Sequence, residues 1–380
     1  MAKTENEDKV TSLNQLDVVV DADSHFTETV GDILPYVDER RHGAAKKLME
    51  ASDLKLNEVY TLTVASPGFA YAAQSDTIKD SDDASNSRGH VEQKLNTMEE
   101  HGITHSIINP TLNLVISSVN NTRFAVALAN AYNSWVLDVL DDAPDSVKAN
   151  ISVAPQKPSK AAEEIDRQAD EDDFVGVQLV ASGLVPPPGH EWYNPIYEAA
   201  EAHDLPVSMH SGVGQTPKSF PIQFYWNETF AADHAIGHPF SHMWNLTSML
   251  FEGVPERYDI DFVFQEAGLG YVPFMMGRLD DHYLEMSYEL PALEQLPSEY
   301  MRNQFSFCTQ PLEMTPRNPQ HIAYFVEMIG EESVLYSGDF PHPDFDPPEE
   351  LFDRVCRFFD AEVTEKLMGK SAADVYDLDL

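Results

Sequence analysis

The sequence is poor in basic residues. It has 24 lysines and arginines against 64 aspartates and glutamates, which gives a formal net charge of -40. No run of lysines or arginines is longer than two residues. A surface this negative repels nucleic-acid phosphates and anionic lipid head groups. We therefore expect neither a nucleic-acid partner nor a membrane partner.

Cysteines and long apolar runs are also scarce. Cys308 and Cys356 are the only cysteines and lie far apart in the sequence. Their number and spacing exclude a disulfide framework and a cysteine metal motif, and they fit a reducing compartment. No stretch of about 18 apolar residues occurs, and the amino end lacks the order of a signal peptide. We expect a cytoplasmic protein.

The acidic excess is spread along the chain in small clusters, for example at residues 163–164 and 170–173. Because concentrated salt screens the repulsion between like charges, this pattern is typical of a halophilic protein, adapted to high salt. An ordinary acidic protein is the alternative. Hydrophobic residues make up 42% of the chain, which suffices for a large buried core.

Eight short apolar runs predict strands that are buried on both faces, as in a parallel sheet. They lie at residues 16–20, 105–108, 149–153, 174–179, 205–209, 260–264, 305–308 and 333–336. Helix-like stretches separate them, at 91–101, 123–140, 160–169, 194–203, 243–251 and 319–329. Because right-handed crossovers return each strand parallel to the last, this alternation predicts an α/β fold, a (β/α)8 TIM barrel with insertions. A doubly wound open sheet is the alternative.

Residues 1–15 are polar and predict a flexible tail, followed by a single barrel domain over residues 16–380. Three segments are too long for simple connections and predict lids or subunit contacts. They lie near residues 43–90, 212–242 and 281–304. The middle segment is rich in aromatic residues, namely Phe220, Phe224, Tyr225, Trp226 and Phe230.

Imidazole and carboxylate side chains follow four of the predicted strands. They are Asp23, His25 and Glu28 after the first strand, His210 after the fifth, Glu266 after the sixth and Asp339 after the eighth. Because the carboxyl ends of the strands of a barrel converge on one face, side chains far apart in sequence can build one site there. Nitrogen and oxygen donors of this kind suit zinc, manganese or iron, with one coordination position open. The sequence therefore predicts a centre for a divalent metal ion.

Three further histidines, His234, His238 and His242, recur every four residues, a spacing that resembles one face of a helix. Gly237 and Pro239 argue against one unbroken helix, so a zinc-binding stripe is disfavoured. We instead expect His234 or His238 to line the substrate pocket.

Four motifs carry a family resemblance. They are VDADSH at 20–25 with Glu28, LPVSMHSG at 205–212, EAGLGYVP at 266–273 with GRLD at 277–280, and SGDFPHP at 337–343. In order, spacing and strand context they resemble the amidohydrolase-superfamily branch that includes aminocarboxymuconate semialdehyde decarboxylase and related aromatic-acid decarboxylases. The resemblance covers nearly the whole chain.

The resemblance implies a barrel that holds one divalent ion at the positions of Asp23, His25, His210 and Asp339. The ion is commonly zinc, with manganese or iron as alternatives, and Glu28 is an additional candidate ligand. Such an ion polarises a bound water or a substrate oxygen. Asp339 could also accept the proton of that water.

The resemblance further implies that Arg278 binds a substrate carboxylate, in some relatives across a dimer interface, so we expect a homodimer. A structural salt bridge from Arg278 to Asp280 or Asp281 is the alternative. We expect His342 to fix the loop that carries Asp339 by a hydrogen bond.

Two positions depart from the family pattern. Members whose decarboxylase activity is understood carry a histidine after the sixth strand, where this chain has Gln265 and Glu266. The first motif begins with Asp23 rather than with a histidine or glutamate. The family mechanism therefore does not transfer directly.

We interpret the chain as a metal-dependent enzyme that acts on a small carboxylated or cyclic substrate. The reaction is either decarboxylation or hydrolysis of a carbon–oxygen or carbon–nitrogen bond. His210, Glu266 and Asp339 are the candidate catalytic residues. The alternatives are a non-catalytic ligand-binding barrel and a purely structural oligomer, and nothing specific in the sequence favours the latter.

Overall fold

A computed structural model describes residues 9–52, 87–211, 230–290, 292–313 and 318–380. Within these residues eight parallel strands form one sheet, in which neighbours pair in sequence order from β1 to β8. The strands are β1 Val20–Phe26, β2 His105–Pro110, β3 Val147–Ser152, β4 Phe174–Val180, β5 Val207–His210, β6 Phe262–Gln265, β7 Phe305–Cys308 and β8 Val334–Leu335. A doubly wound sheet would require a strand order that reverses. The sequential order therefore confirms the predicted (β/α)8 TIM barrel.

The first and last strands approach each other along a seam of backbone hydrogen bonds. The Ala22 amide donates to the Tyr336 carbonyl at 3.1 Å, and the His25 amide donates to the Phe340 carbonyl at 2.8 Å. In the opposite direction the Asp339 amide donates to the Asp23 carbonyl at 2.7 Å. These bonds bring the two ends of the sheet together, so the barrel is nearly closed.

Helices alternate with the strands and are numbered in chain order. They are α1 Val30–Ile33, α2 Glu39–Ser52, α3 Ser87–His101, α4 Thr122–Leu140, α5 Pro158–Gln168, α6 Asn194–Ala202, α7 Phe230–Phe251, α8 Val254–Arg257, α9 Tyr271–Met286, α10 Pro297–Asn303, α11 Gln320–Ile329, α12 Pro348–Arg354, α13 Ala361–Glu365 and α14 Ser371–Val375. A π-helical turn spans Lys366–Lys370, between α13 and α14. Short 3-10 helices lie at Leu13–Gln15, Leu34–Tyr36, Leu112–Ser118, Glu191–Tyr193, Ser287–Glu289, Glu331–Ser333 and Cys356–Phe358.

Strand β1 begins later than the sequence predicts. The predicted strand at 16–20 overlaps the observed strand Val20–Phe26 at one residue only. The prediction was wrong because it ended the strand before Asp21, whereas all seven residues of β1 are buried, Asp21 and His25 included. A buried strand can contain polar residues when the barrel supplies their hydrogen bonds. Asp23 and His25 therefore lie on the strand and not after it.

The pairing of β1 with β2 shifts register between Asp21 and Ser24. Three residues of β1 advance there against two of β2, which is the pattern of a β-bulge. Val20, before the bulge, packs in the apolar interior, and His25, after it, faces the polar group described below. Bulges are common beside active sites because they redirect a side chain.

An apolar layer fills the barrel on the side of the strands' amino ends. Strand residues Val20, Ala22, Ile107, Val263, Cys308 and Leu335 pack there with Ala372, Ala373 and Tyr376. The Tyr376 hydroxyl lies 2.8 Å from the Ser208 hydroxyl, near the start of β5. Helix α14 thus covers the end of the barrel opposite the carboxyl ends of the strands.

The long segments expected as insertions are described in part. Residues 53–86 and 212–229 lie outside the described residues, as do residues 1–8 of the predicted tail. Four of the five aromatic residues of the middle segment fall there, and Phe230 begins α7. Segment 281–304 contains the end of α9 and all of α10. In the part of the chain that is described, the helices are too short or too polar to cross a membrane.

Candidate metal centre

Four side chains converge at the carboxyl ends of three strands. Asp23 and His25 come from β1, His210 is the last residue of β5, and Asp339 follows β8. All four are buried, and their potential ligand atoms lie within 4.8 Å of one another. We call Asp23, His25, His210 and Asp339 the four-donor group. The structure thus brings together four of the predicted metal ligands.

The imidazole of His25 lies at the centre of this group. Its Nε2 is 3.1 Å from Oδ1 of Asp339 and 3.3 Å from Oδ1 of Asp23. The His210 Nε2 is 3.4 Å from the His25 Nε2 and 3.6 Å from the same Asp23 oxygen. Two imidazole nitrogens and two carboxylates therefore face a common point.

The four-donor group fits a divalent cation. Nδ1 of His25 lies 3.0 Å from the Pro110 carbonyl, and Nδ1 of His210 contacts the Ser211 carbonyl. A carbonyl fixes the proton on Nδ1 and leaves Nε2 as a lone-pair donor, as in protein metal sites. Among the described residues, Oδ2 of Asp23 is buried without a hydrogen-bond partner. Nitrogen and carboxylate donors of this kind suit zinc, manganese and iron.

Amide side chains hold the carboxylates of the group in place. The Asn109 amide donates to Oδ1 of Asp23 at 2.8 Å, and the Asn150 amide donates to Oδ1 of Asn109 at 2.8 Å. Gln310 donates to Oδ2 of Asp339 at 3.4 Å. Sequence reasoning missed these three residues because it searched the strand ends only for imidazoles and carboxylates. The same search extended to amides would find Asn109 and Gln310.

His342 lies where the sequence predicts. Its Nδ1 is 2.7 Å from Oδ1 of Asp339, which confirms the expected hydrogen bond, and its Nε2 is 3.3 Å from the Thr111 hydroxyl. Asp339 itself has a φ of 66°, a left-handed conformation that costs a non-glycine residue energy. Asp21 holds this turn because its Oδ1 accepts the Gly338 amide at 2.7 Å.

The charges of the group favour ionised carboxylates. Burial opposes ionisation of Asp23, but His210 and His25 hold its pKa below the usual value. Burial likewise opposes ionisation of Asp339, whereas His342 and His25 lower its pKa. The two carboxylates in turn raise the pKa of His25 well above its usual value, against the effect of burial. Both carboxylates are therefore available as charged donors.

A buried lysine lies beside the group and was not foreseen. Nζ of Lys94, on α3, donates to the Ser24 hydroxyl and, at 3.1 Å, to the Phe340 carbonyl. Burial lowers the pKa of Lys94 to about 8, although Asp21 and Asp339 act in the opposite direction. Nothing in the sequence around Lys94 signals this contact, since it joins α3 to the loop after β8.

Glu266 connects the four-donor group to helix α7. Its Oε2 lies 3.5 Å from Nδ1 of His210 and 3.4 Å from Nδ1 of His238. Its Oε1 lies 3.8 Å from Nε2 of His234, which is also 3.3 Å from Oδ2 of Asp344. Burial raises the pKa of Glu266 well above the usual value, and the nearby Asp339 adds to this effect.

Helix α7 is continuous, contrary to the sequence prediction. It runs from Phe230 to Phe251 through Gly237 and Pro239. The missing proline amide leaves the carbonyl of Ala235 without its helical donor. Ala235 is exposed, so water can replace that donor. The helix therefore keeps its three spaced histidines on one side.

The three histidines of α7 do not share one role. His234 and His238 approach Glu266, as described above. His242 turns away, because its Nε2 lies 2.6 Å from the Gln265 carbonyl and its ring packs on Phe264 and Tyr271. The predicted placement of His234 and His238 beside the site is consistent with these contacts, and their role in binding substrate stays a prediction.

Glu28 lies outside the four-donor group, although the sequence places it among the candidate ligands. Its carboxylate is buried and accepts three backbone amides, from Leu112 at 2.8 Å, Thr111 at 3.1 Å and Asn113 at 3.3 Å. Burial raises its pKa to about 8 against these hydrogen bonds. Its contacts support the start of the 3-10 helix Leu112–Ser118.

Arg278 lies on the exposed face of α9, away from the four-donor group. Within the described residues it forms no ion pair with Asp280 or Asp281. Asp280 instead accepts the Ser298 amide at 2.8 Å, at the start of α10. The structural alternative considered for Arg278, a salt bridge to one of these aspartates, is therefore not observed.

The sequence matches a family model described as amidohydrolase over residues 20–378. The gamma-resorcylate decarboxylase of Polaromonas sp. (strain JS666 / ATCC BAA-500) is 21% identical over 275 residues, which are 70% of this chain and 81% of that protein.

Two solved structures share the fold. One is 5-carboxyvanillate decarboxylase from Sphingomonas paucimobilis, with a TM-score of 0.68, 20% identity, and coverage of 95% of this chain and 99% of that chain. The other is 5-carboxyvanillate decarboxylase from Novosphingobium aromaticivorans DSM 12444 with bound manganese, with a TM-score of 0.67, 20% identity, and coverage of 98% and 100%. At this level of identity the similarity supports the barrel fold.

Proposed function

Because the chain belongs to the amidohydrolase family, we propose that it is a metal-dependent decarboxylase of small carboxylated aromatic acids. The observation that carries this proposal is the convergence of Asp23, His25, His210 and Asp339 on one buried point. The similar gamma-resorcylate and 5-carboxyvanillate decarboxylases support the substrate class. Which acid the enzyme takes depends on loops around the site.

The four-donor group would hold the metal ion. Zinc is the ion expected from the sequence, and manganese is supported by its presence in a similar decarboxylase. A divalent cation bound there would supply Lewis acidity toward a substrate oxygen or a water molecule. The buried surroundings exclude bulk water and so strengthen electrostatic interactions at the site.

Asp339 is our candidate for the group that moves a proton. His342 holds one of its oxygens and Gln310 holds the other, so the carboxylate has a fixed orientation. In a decarboxylation this ionised side chain would first take the proton of a substrate hydroxyl and then deliver it to the carbon that loses carbon dioxide. His210 would bind the ion, and Glu266, which contacts His210, would lie beside the bound substrate.

Hydrolysis and loss of activity are the alternatives, and Glu266 supports both. This chain has glutamate where decarboxylases that it resembles carry a histidine. In a hydrolase, Asp339 or Glu266 would take the proton of the attacking water. In a binding protein the glutamate would instead mark the loss of a catalytic residue.

A substrate panel separates these functions. The purified protein, loaded with manganese or zinc in high salt, is given hydroxybenzoates and lactones while carbon dioxide and pH are followed. We expect carbon dioxide from a hydroxybenzoate. Acid release from a lactone without carbon dioxide would favour the hydrolase, and no bound metal in protein purified without chelators would favour the binding barrel.

Variants of the four-donor group test the site itself. Changing a residue behind a metal ligand typically costs about 10- to 100-fold in affinity or activity, so loss of a ligand should cost more. We expect His210→Ala and Asp339→Asn each to lose the metal ion of the four-donor group. Their kcat/KM should fall by at least about 100-fold. His203→Ala, at a half-buried histidine that contacts Asp166, should retain both the bound ion and the turnover. A full metal equivalent and normal turnover in both site variants would contradict the assignment.

We further propose that the chain forms a homodimer through an exposed face of α7 and α9. Trp244 on α7 is 58% exposed, and Phe274 on α9 is 60% exposed, one helical turn from the exposed Arg278. Large exposed apolar side chains of this kind often mark protein interfaces. Arg278 would then reach the site of the partner and bind the substrate carboxylate.

The setting of the enzyme follows from its composition. We propose residues 16–380 as one domain that works in the cytoplasm of a halophilic, high-salt organism. The two free cysteines are buried, which suits a reducing compartment. The distributed net charge of -40 supports the adaptation to salt.

A further inference from the structure

A second group of potential ligands lies beside the first. His234, His238 and Glu266 offer atoms within 4.8 Å of one another. Among these three residues, Glu266 also touches the four-donor group, through His210. Glu266 follows directly after β6, and the two histidines come from helix α7.

The two histidines have the spacing of a helical metal site. They are separated by four residues on α7, which places them on one face one turn apart. Their ring centroids are 4.8 Å apart with an angle of 67° between the planes. Histidines at this spacing, with a nearby carboxylate, bind metal ions in other helical sites because both rings reach one point.

His238 provides an independent indication of a ligand. The residue is 2% exposed, and within the described chain neither ring nitrogen makes a hydrogen bond, although Nδ1 lies 3.4 Å from Oε2 of Glu266. Buried polar groups almost always have a partner, since an unpaired group costs about 1–3 kcal/mol. A cation that accepts the Nδ1 lone pair removes this penalty.

The carboxylates near His234 and His238 would also be stabilised by a bound cation. Oxygens of Glu266, Asp339 and Asp344 lie within 4.8 Å of one another, and two of these residues are buried. Like charges this close repel strongly where water is excluded. Glu266 moreover has a φ of 56°, a strained conformation of the kind found at functional sites.

We propose that His234, His238 and Glu266, with Asp344 beside them, form a second divalent-cation site next to the four-donor group. Two imidazoles and one or two carboxylates suit manganese, zinc or iron. The chain would then bind two ions instead of the single ion that the four-donor group accounts for. Glu266 would serve as a ligand of the second ion, which explains a glutamate at this position.

The test is a manganese titration of the metal-free protein in high salt, read by the free-ion EPR signal and by elemental analysis after desalting. We expect two equivalents per chain for the unchanged protein and one for His238→Gln and for Glu266→Gln. His242→Gln is the matched control, because it lies one turn further along α7 and bonds to a backbone carbonyl. It should retain two equivalents, and circular dichroism would verify the fold of every variant.

The outcomes separate this inference from the proposed function. The unchanged protein could instead bind one equivalent of manganese. If His238→Gln and Glu266→Gln retain that equivalent and His210→Ala loses it, the second site is overturned and the first site stands. Two equivalents in both variants would also overturn the second site. If His210→Ala still binds one equivalent of manganese, and the double variant with His238→Gln binds none, the result supports two separate sites.

Discussion

Buried polar side chains around the barrel mouth divide into two kinds. Some point at the four-donor group, as Asp23 and His210 do, and others hold the backbone that carries the group. Asn109 and Glu28 illustrate the difference, because Asn109 donates to a carboxylate of the group whereas Glu28 accepts three backbone amides. A glutamate near a metal motif is therefore not by itself a ligand.

Glu28→Gln tests this distinction. The amide keeps one acceptor oxygen and places an NH2 group against backbone donors, so we expect a loss of about 1–3 kcal/mol in the free energy of unfolding. Metal content should stay unchanged. The exposed Glu163→Gln is the control for the chemical change. A lost metal equivalent with unchanged stability would show that Glu28 is a ligand after all.

The same variant has an expected pH dependence. The folded pKa of Glu28 is raised from 4.5 to about 8, so the folded state binds more protons than the unfolded state between these values. The contribution of Glu28 to stability is then complete below pH 4.5 and is lost as the pH rises through 8. The stability advantage of the natural protein over Glu28→Gln should shrink over this range in urea titrations. An advantage that grows with pH would contradict the raised pKa.

Helix α7 has different functions on its two sides. Its buried side brings His234 and His238 to Glu266, and Trp244 on its outer side is exposed. A helix that is apolar on both sides is typical of an element buried between layers, as α7 would be in the proposed dimer. The element thus links the site to the proposed interface.

Trp244→Asp combined with Phe274→Asp should convert the dimer to a monomer. Aromatic residues at the centre of an interface often contribute at least about 2 kcal/mol each, so the dissociation constant should rise by more than about 100-fold. Sedimentation velocity measures the oligomeric state. Because Arg278 would act on the partner's site, turnover should fall while bound metal stays.

Tyr324→Asp is the matched control for this double variant. Tyr324 is also a large exposed aromatic residue, 47% exposed, but it lies on α11 and outside the proposed interface. It should leave the dimer unchanged. A natural protein that sediments as a monomer, or a double variant that stays dimeric, would contradict the interface.

The whole molecule carries a charge that its surface cannot neutralise. With 64 acidic and 24 basic residues, most surface carboxylates have no cationic partner available. Surface ion pairs such as Lys160 with Glu163 are exposed and contribute little to stability. The self-repulsion of the folded state therefore depends strongly on the ionic strength of the solvent.

Thermal stability should consequently increase with salt. The screening length falls from about 10 Å at 0.1 M salt to about 3 Å at 1 M, which removes most long-range repulsion. We expect Tm to rise by about 10 °C between 0.1 and 3 M KCl, which at about 2.1 cal/mol/K per residue corresponds to about 8 kcal/mol of stability for a chain of 380 residues. Differential scanning calorimetry measures this rise, with sucrose of equal osmolality as the control. A Tm that is flat or falls with KCl would contradict adaptation to high salt.

The fold class could be predicted from the amino-acid sequence. Eight continuous apolar runs separated by helical stretches permit few arrangements, because parallel strands need right-handed crossovers. The sequence also predicted that donors at strand ends would share one face of the barrel, and Asp23, His25, His210 and Asp339 do meet there. The predicted position of β1 and the predicted interruption of α7 were wrong because local rules end a strand at Asp21 and a helix at Pro239. In the structure Asp21 is buried within the strand, and the exposure of Ala235 to water allows the helix to continue past Pro239.

The contacts between polar side chains became known only from the three-dimensional packing of the barrel. Glu28 and Asn109 both lie near a strand end in the sequence. In the folded barrel Glu28 accepts backbone amides, whereas Asn109 donates to Asp23. The contacts of Lys94 and Glu266 likewise join elements that are distant in sequence. The physical reason is that hydrogen bonds and ion pairs act over a few ångströms, so they depend on packing that no local pattern encodes.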